Sequence, residues 1–286
     1  MGYLFLSIVF GTSIYLIFKV FGNKGIDNLQ AIVVNYLTAA TLGFFISPFS
    51  ISTLMEAGWL SIGAITGVLF LVMFNIVAST TQKMGVAIAS IATKVSMVIP
   101  VIVAVVLYGD SMPVLKIVGI VLAIVAVVLS FWQTSNTQKI NGKFMVLPAV
   151  LFLGTGAIDA LIKHAQEKYL GVDEFSHYIS FLFLMAAITG LVGLFAKNAM
   201  YKNKLHAKSL LAGIILGIPN YFAVYFLLKT FAHSGLQSSV VFPVNNIGIV
   251  LLSVLLAVSL FKEKLNMLNK IGVVLTVCSI AIVYSS

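Results

Sequence analysis

The chain has 286 residues, of which 60% are hydrophobic and 9% charged, and its mean hydropathy is +1.11. Those values exclude an ordinary soluble domain, which does not carry so large an apolar share. The formal net charge of +9 is carried by 17 lysines with no arginine. Spread between apolar runs, these lysines suit lipid headgroups and argue against a nucleic-acid surface.

Crossing a hydrocarbon layer of about 30 Å takes about 20 apolar residues in a helix. In chain order the sequence predicts such spans at 3–21, 29–47, 58–78, 86–107, 113–132, 144–165, 175–196, 209–229, 236–260 and 267–284. Continuous apolar runs of this length predict helices, because barrel strands alternate polarity over about ten residues. The expected fold is an all-α integral membrane protein with ten transmembrane helices, multi-pass in a cell (inner or plasma) membrane. No polar stretch with a small-residue cleavage site follows the first span, which is read as a retained helix. Cys278, the single cysteine, falls in the last span and is expected to be a small buried residue with no disulfide.

Lysine placement predicts orientation. Counting loops in order, the odd ones hold Lys24, Lys83, Lys139, Lys143, Lys202, Lys204, Lys262 and Lys264, with Lys19, Lys197, Lys208 and Lys270 at adjoining helix ends. Near the even loops lie only Lys116, Lys168 and Lys229. Positive charge favours the cytoplasmic side, so the bias puts the odd loops in the cytoplasm and both termini outside.

The two halves of the chain repeat. Gly63-Ala-Ile-Thr-Gly67 is matched 150 positions later by Gly213-Ile-Ile-Leu-Gly217, and Gly85 by Gly235 at the same offset. Tyr108-Gly-Asp-Ser-Met, with Gly119 eleven residues after the tyrosine, parallels Phe261-Lys-Glu-Lys-Leu with Gly272 at that distance. At the front, Gly11 to Lys19 parallels Gly154 to Lys163 with one insertion. Residues 1–138 and 144–286 are therefore read as one five-helix unit used twice, joined by 139–143 within the polar stretch that starts at Thr134. An odd number of spans per unit makes the two repeats inverted, an arrangement that places a transported solute near the midplane.

On these residues the chain resembles the drug/metabolite transporter (DMT) superfamily, specifically the ten-helix EamA type. The resemblance rests on Gly11-Thr-Ser in the first span, Val98-Ile-Pro-Val-Ile-Val-Ala-Val-Val-Leu-Tyr-Gly-Asp in the fourth, and Leu251 to Glu263 with its Phe-Lys-Glu end in the ninth. In the family pattern a proline-bearing helix runs into a Leu-Gly-Glu-Arg-like turn; here Tyr-Gly-Asp-Ser and Phe-Lys-Glu-Lys depart from it by lacking arginine. The resemblance implies solute export or uptake, by proton exchange or facilitated diffusion, with both termini cytoplasmic. That orientation is opposite to the one the lysines predict.

Ionisable groups inside a span are disfavoured by roughly 2.5–3.5 kcal/mol at the bilayer centre, which makes each a functional candidate. Lys94 lies in the fourth span on a helical stripe with Ser90, Thr93 and Met97. Asp159 lies in the sixth span, with Thr155 and Lys163 one turn to either side. The functional reading gives Lys94 the anionic end of a solute and Asp159 its cationic end or a coupling proton. The structural alternative is an ion pair of Asp159 with Lys94 or with Lys163 that neutralises itself. Softer candidates are Asn245 and Asn246 beside Pro243, and Asn220 with Tyr221 and Tyr225 beside Pro219. Prolines leave carbonyls unbonded where a cavity can use them. Tyr15, Asn75 and Asn35 are weaker, because one interhelical hydrogen bond explains each. The glycine pairs predict close helix packing.

No phosphate loop, His-Glu-x-x-His or cysteine pair occurs, so neither a cofactor nor an enzymatic reaction is expected. The leading reading is a secondary transporter of small polar metabolites, amino-acid-like or organic-anion in class, working by alternating access. Its expected partners are the solute, the bilayer and protons as a coupling ion, in a monomer or homodimer. A lipid or lipid-linked-sugar translocase, or a sugar or nucleoside transporter, is the alternative.

Overall fold

The computed structural model describes residues 2–48, 54, 57–108, 113–131, 144, 146–170, 174–201, 205–233 and 238–285. The linker 139–143, the turn Gly109–Met112 and Gly235 lie outside the described residues. Among those described, all regular structure is helical: α1 (Gly2–Lys24), α2 (Asn28–Ile46), α3 (Leu60–Met84), α4 (Val86–Val95), α5 (Val98–Tyr108), α6 (Val114–Phe131), α7 (Val146–Lys168), α8 (Phe175–Tyr201), α9 (Ala207–His233), α10 (Ser238–Phe261) and α11 (Met267–Ser285).

Eight stretches are long and apolar enough to cross a membrane, one of them Val86–Leu107, which takes in α4 and most of α5. Two more apolar helices, at Val114–Leu129 and Met267–Val283, are shorter. The chain is a multi-pass α-helical membrane protein on this ground. Cys278 is exposed rather than buried. A helix that is apolar all round does not announce which face turns inward.

The fourth span is not the single helix its apolar run predicts. It stops at Val95 and resumes at Val98. Pro100 explains the break, because it has no N–H for the Ser96 carbonyl and its ring crowds that oxygen. Ser96 C=O instead accepts from Ile99 N at 2.9 Å. Three hydroxyls feed the same stretch, with Ser90 Oγ donating to Ala87 O, Thr93 Oγ1 to Ala89 O, and Ser96 Oγ to Thr93 O. Pro219, by contrast, sits inside an unbroken α9.

Two compact units form, and each draws on both halves of the sequence. The first comprises residues 1–19, 76–157 and 223–286. Within it α6 packs along α11 and α4 against α10. Ile91, Val95 and Val98 meet Ile120, Ala123, Val127, Val250 and Val283 in one buried cluster. The second comprises 20–75 and 158–222, and its main pairing is α2 with α8. Trp59 stands edge-on to Tyr178, with ring centroids 5.4 Å apart, and Tyr36 lies against Phe74 and Phe183.

The repeated glycines exchange partners in this second unit. Gly63 and Gly67 of α3 face Phe181, Leu182 and Met185 of α8, whereas Gly213 and Gly217 of α9 face Ala31, Val34, Asn35 and Thr38 of α2. The first unit holds a like pair of contacts, Gly11 with Ile249 and Gly156 with Ile99. Those isoleucines are 150 positions apart, the offset of the glycine repeat.

α10 ends on Lys262 at φ 53, a left-handed conformation that a side chain disfavours by about 1–2 kcal/mol. This is the position that the Leu-Gly-Glu-Arg-like pattern fills with glycine. Replacing Lys262→Gly is expected to raise stability by about 1 kcal/mol, measured as a higher thermal midpoint in detergent.

Candidate functional site

Several polar contacts of the first unit lie along α4, beginning at its N-terminus. Gly85 adopts φ 109, and a Cβ there would lie 2.7 Å from Glu263 Oε2. Glycine thus lets the Glu263 carboxylate reach the free end of the helix, where both its oxygens accept from Val86 N at 3.0 and 3.1 Å. The Lys19 ammonium lies 2.9 Å from the same carboxylate. A helix N-terminus carries partial positive charge, so Glu263 is held by two positive partners at once. Their side chains are 20% exposed for Lys19 and 13% for Glu263.

Further along α4, the Tyr15 and Thr93 hydroxyls are 2.5 Å apart. Thr93 already gives its proton to Ala89 O, so Tyr15 is the donor in that contact. Lys94 follows, half-buried in the last turn of α4, where the negative end of the helix favours a cation. At the break, Asn246 Nδ2 lies 3.5 Å from Met97 Sδ. The contacts run from Val86 with Glu263, through Thr93 with Tyr15, to Met97 with Asn246. α4 therefore runs opposite to both α1 and α10, with Tyr15 and Thr93, then Asn246 and Met97, meeting along it. Ser90, fully buried, is committed to its own helix.

Asn245, beside Asn246, is 4% exposed, and its Oδ1 has no hydrogen-bond partner among the described residues. Thr12 Oγ1 on α1 and Ser253 Oγ on α10 are also buried without partners among those residues. Buried polar atoms are otherwise almost always bonded, and others without a partner among the described residues lie on Asn35, Trp59 and Thr81.

The remaining candidates are distributed differently. Tyr225 belongs to the first unit and meets Phe226 edge-on, with the Lys229 ammonium 5.5 Å from the centre of its ring. In the second unit, Asn220 Nδ2 donates to Asn35 Oδ1 at 3.1 Å, a buried bond between α9 and α2. Tyr221 is buried and packs over Gly43 of α2. Asn75 donates to Leu71 O of its own helix. Asp159 is half-buried on α7, while Lys163, one turn on, pairs with Glu167. Lys94 and Asp159 thus fall in different units. The side chains of Ser238, Ser239 and Pro243 lie outside the described residues.

A second ionic junction caps α2. Asp27 accepts from Gln30 N at 3.1 Å and from the Lys197 ammonium at 3.0 Å, and its own N–H donates to Ser209 Oγ. Gln30 Oε1 accepts from His206 N. Burial alone would raise the Asp27 carboxyl, but the Gln30 N–H and the Lys197 ammonium outweigh it and hold the group below its ordinary range. Neither junction is legible as a pairing in the sequence. The local signals are the Phe-Lys-Glu turn for Glu263 and an aspartate three residues before Gln30, the spacing of a helix cap.

No protein-family model matches the chain. It is similar to an uncharacterized protein of Haemophilus influenzae, 25% identical over 98% of this chain and 97% of that protein. It is also similar to a protein of known crystal structure, 14% identical over 98% of this chain and 94% of that one, with a TM-score of 0.61. A likeness that covers nearly the whole of both molecules at so low an identity shows a shared fold.

Proposed function

We propose that the chain is a secondary transporter of the inner or plasma membrane, with ten spans in two inverted five-helix repeats of the EamA type. It moves a small polar organic solute by alternating access. The repeat is supported by the exchange of glycine contacts, since α3 of the first half docks on α8 of the second and α9 of the second on α2 of the first. A two-fold relation between halves would produce such reciprocity. Pairing of α2 with α8, α4 with α10 and α6 with α11, each helix beside its counterpart, has the same sense.

The observation that carries the transport reading is the interrupted fourth span with Lys94 in the last turn before the break. Discontinuous helices in transporters expose backbone ends and a few polar side chains at membrane depth, where solutes and coupling ions are held. Lys94 is the anchor for the solute's anionic end. The test is uptake and counterflow in proteoliposomes with amino acids, organic acids, sugars and nucleosides. Lys94→Ala is expected to lower transport of the responsive class by about 10-fold to 100-fold, the worth of one charged hydrogen bond. Transport undiminished in folded Lys94→Ala would remove Lys94 from the site. Movement of a lipid probe and of no soluble solute would replace the metabolite reading by the translocase one.

A further inference from the structure

The junction at the start of α4 joins the two halves of the sequence, since Lys19 and Val86 belong to the first and Glu263 to the second. Three features set it apart from a permanent staple. The first is strain. Lys262 is the one non-glycine residue with positive φ among the described residues, and it immediately precedes Glu263. Its left-handed turn sends the Glu263 N–H back to Ala257 O at 3.1 Å and aims the carboxylate at Val86 N. Across the contact Gly85, at φ 109, immediately precedes Val86. Backbone strain of this kind clusters at switch regions. The Asp27 junction also joins the halves, through Lys197, but carries no positive φ among its described residues. The second feature is position. Lys19 lies in the last two turns of α1, and Glu263 just past the end of α10. At helix ends water can reach both charges once they part, so release avoids the penalty of a stranded buried ion. The third is asymmetry. Lys163, which the repeat aligns with Lys19, bonds to Glu167 of its own helix instead of crossing between halves.

We propose that Glu263, Lys19 and the N-terminus of α4 form a latch between the halves, closed in the state described and released once per transport cycle. The inference rests on the transporter reading above. In alternating access the halves move against each other, so an ionic contact between them at one end of the helices is made and broken in each cycle. The left-handed Lys262 raises the free energy of the closed form and so keeps the latch releasable.

The first experiment leaves the junction intact. Lys24 and Lys264, both exposed and each close to it in the chain, are replaced by cysteine and spin-labelled in a Cys278→Ser background. Pulsed electron paramagnetic resonance in lipid nanodiscs is expected to give two distances, the shorter from the closed latch. Adding Lys262→Gly, which relieves the strain of the closed form, is expected to move the ratio about 5-fold toward the shorter distance, the equivalent of about 1 kcal/mol. A single distance, or a ratio that Lys262→Gly leaves unchanged, would overturn the proposal and make the junction a permanent staple. The second experiment bridges Lys19→Cys and Glu263→Cys with a short bifunctional methanethiosulfonate in proteoliposomes. Uptake is expected to fall at least 10-fold on bridging, to return on reduction, and to survive the monofunctional reagent. Uptake undiminished by the bridge would overturn the latch as well. If no soluble solute moves in wild type, the transporter reading fails, and the spin-label distances still decide whether the junction opens.

Discussion

Glu263→Ala is expected to lower the stability of the protein by about 3–5 kcal/mol, the range for removing one partner of a largely buried ion pair. The substitution would strand the Lys19 ammonium in a mostly desolvated place and strip the N-terminus of α4 of its acceptor. Glu263→Gln keeps an acceptor for Val86 N but not the charge, and is expected to lose about 1–2 kcal/mol. Combining it with Lys19→Met removes both charges together and should recover much of the loss. Thermal or denaturant unfolding in detergent reads all three. A Glu263→Ala protein as stable as wild type would show that the junction is solvated and structurally idle. The consequence extends to the site, because α4 positions Thr93 and Lys94 and is anchored at its start by this carboxylate.

Gly217→Ala should be nearly as damaging for a different reason. A Cβ at Gly217 would lie 2.7 Å from the Asn35 carbonyl oxygen and 2.6 Å from Thr38 Cβ. A backbone carbonyl in the middle of α2 cannot move aside without the helix. Separating α9 from α2 also stretches the Asn35 to Asn220 bond one turn away and leaves two buried amides unbonded. Overpacking and the lost bond together predict a decrease of about 2–4 kcal/mol, read by the same unfolding measurements. Gly193→Ala is the control, because nothing lies within 4 Å of a Cβ there. Alanine in that helix should be neutral or stabilising by up to about 1 kcal/mol. If both substitutions behave alike, the seam between α2 and α9 is looser than its contacts imply.

Part of the candidate site is legible in the amino-acid sequence. Lys94 stands out because a charge within an apolar run is conspicuous, and Thr93, Met97 and Asn246 follow from helical spacing and proline neighbours. Asn220 is visible as a polar residue in a span, but its role is not. Its partner Asn35 lies 185 residues away, and nothing local selects that residue over Asn75, which bonds within its own helix. Asp159 illustrates the same limit. Its charge stands out in an apolar span, but nothing local in the sequence selects the group it meets.

Apolar run length and small-residue spacing are local properties, and they are enough to make this a helical membrane protein with glycine pairs repeated at one offset. The cause of the broken fourth span is local as well, since Pro100 cannot bond the Ser96 carbonyl. Which polar groups meet is a property of the packed chain. The decisive partners are 78 residues apart for Tyr15 and Thr93, 170 for Lys197 and Asp27, and 177 for Val86 and Glu263. In helices that are apolar all round, no hydrophobic stripe marks the inward face, so packing against neighbours chooses it.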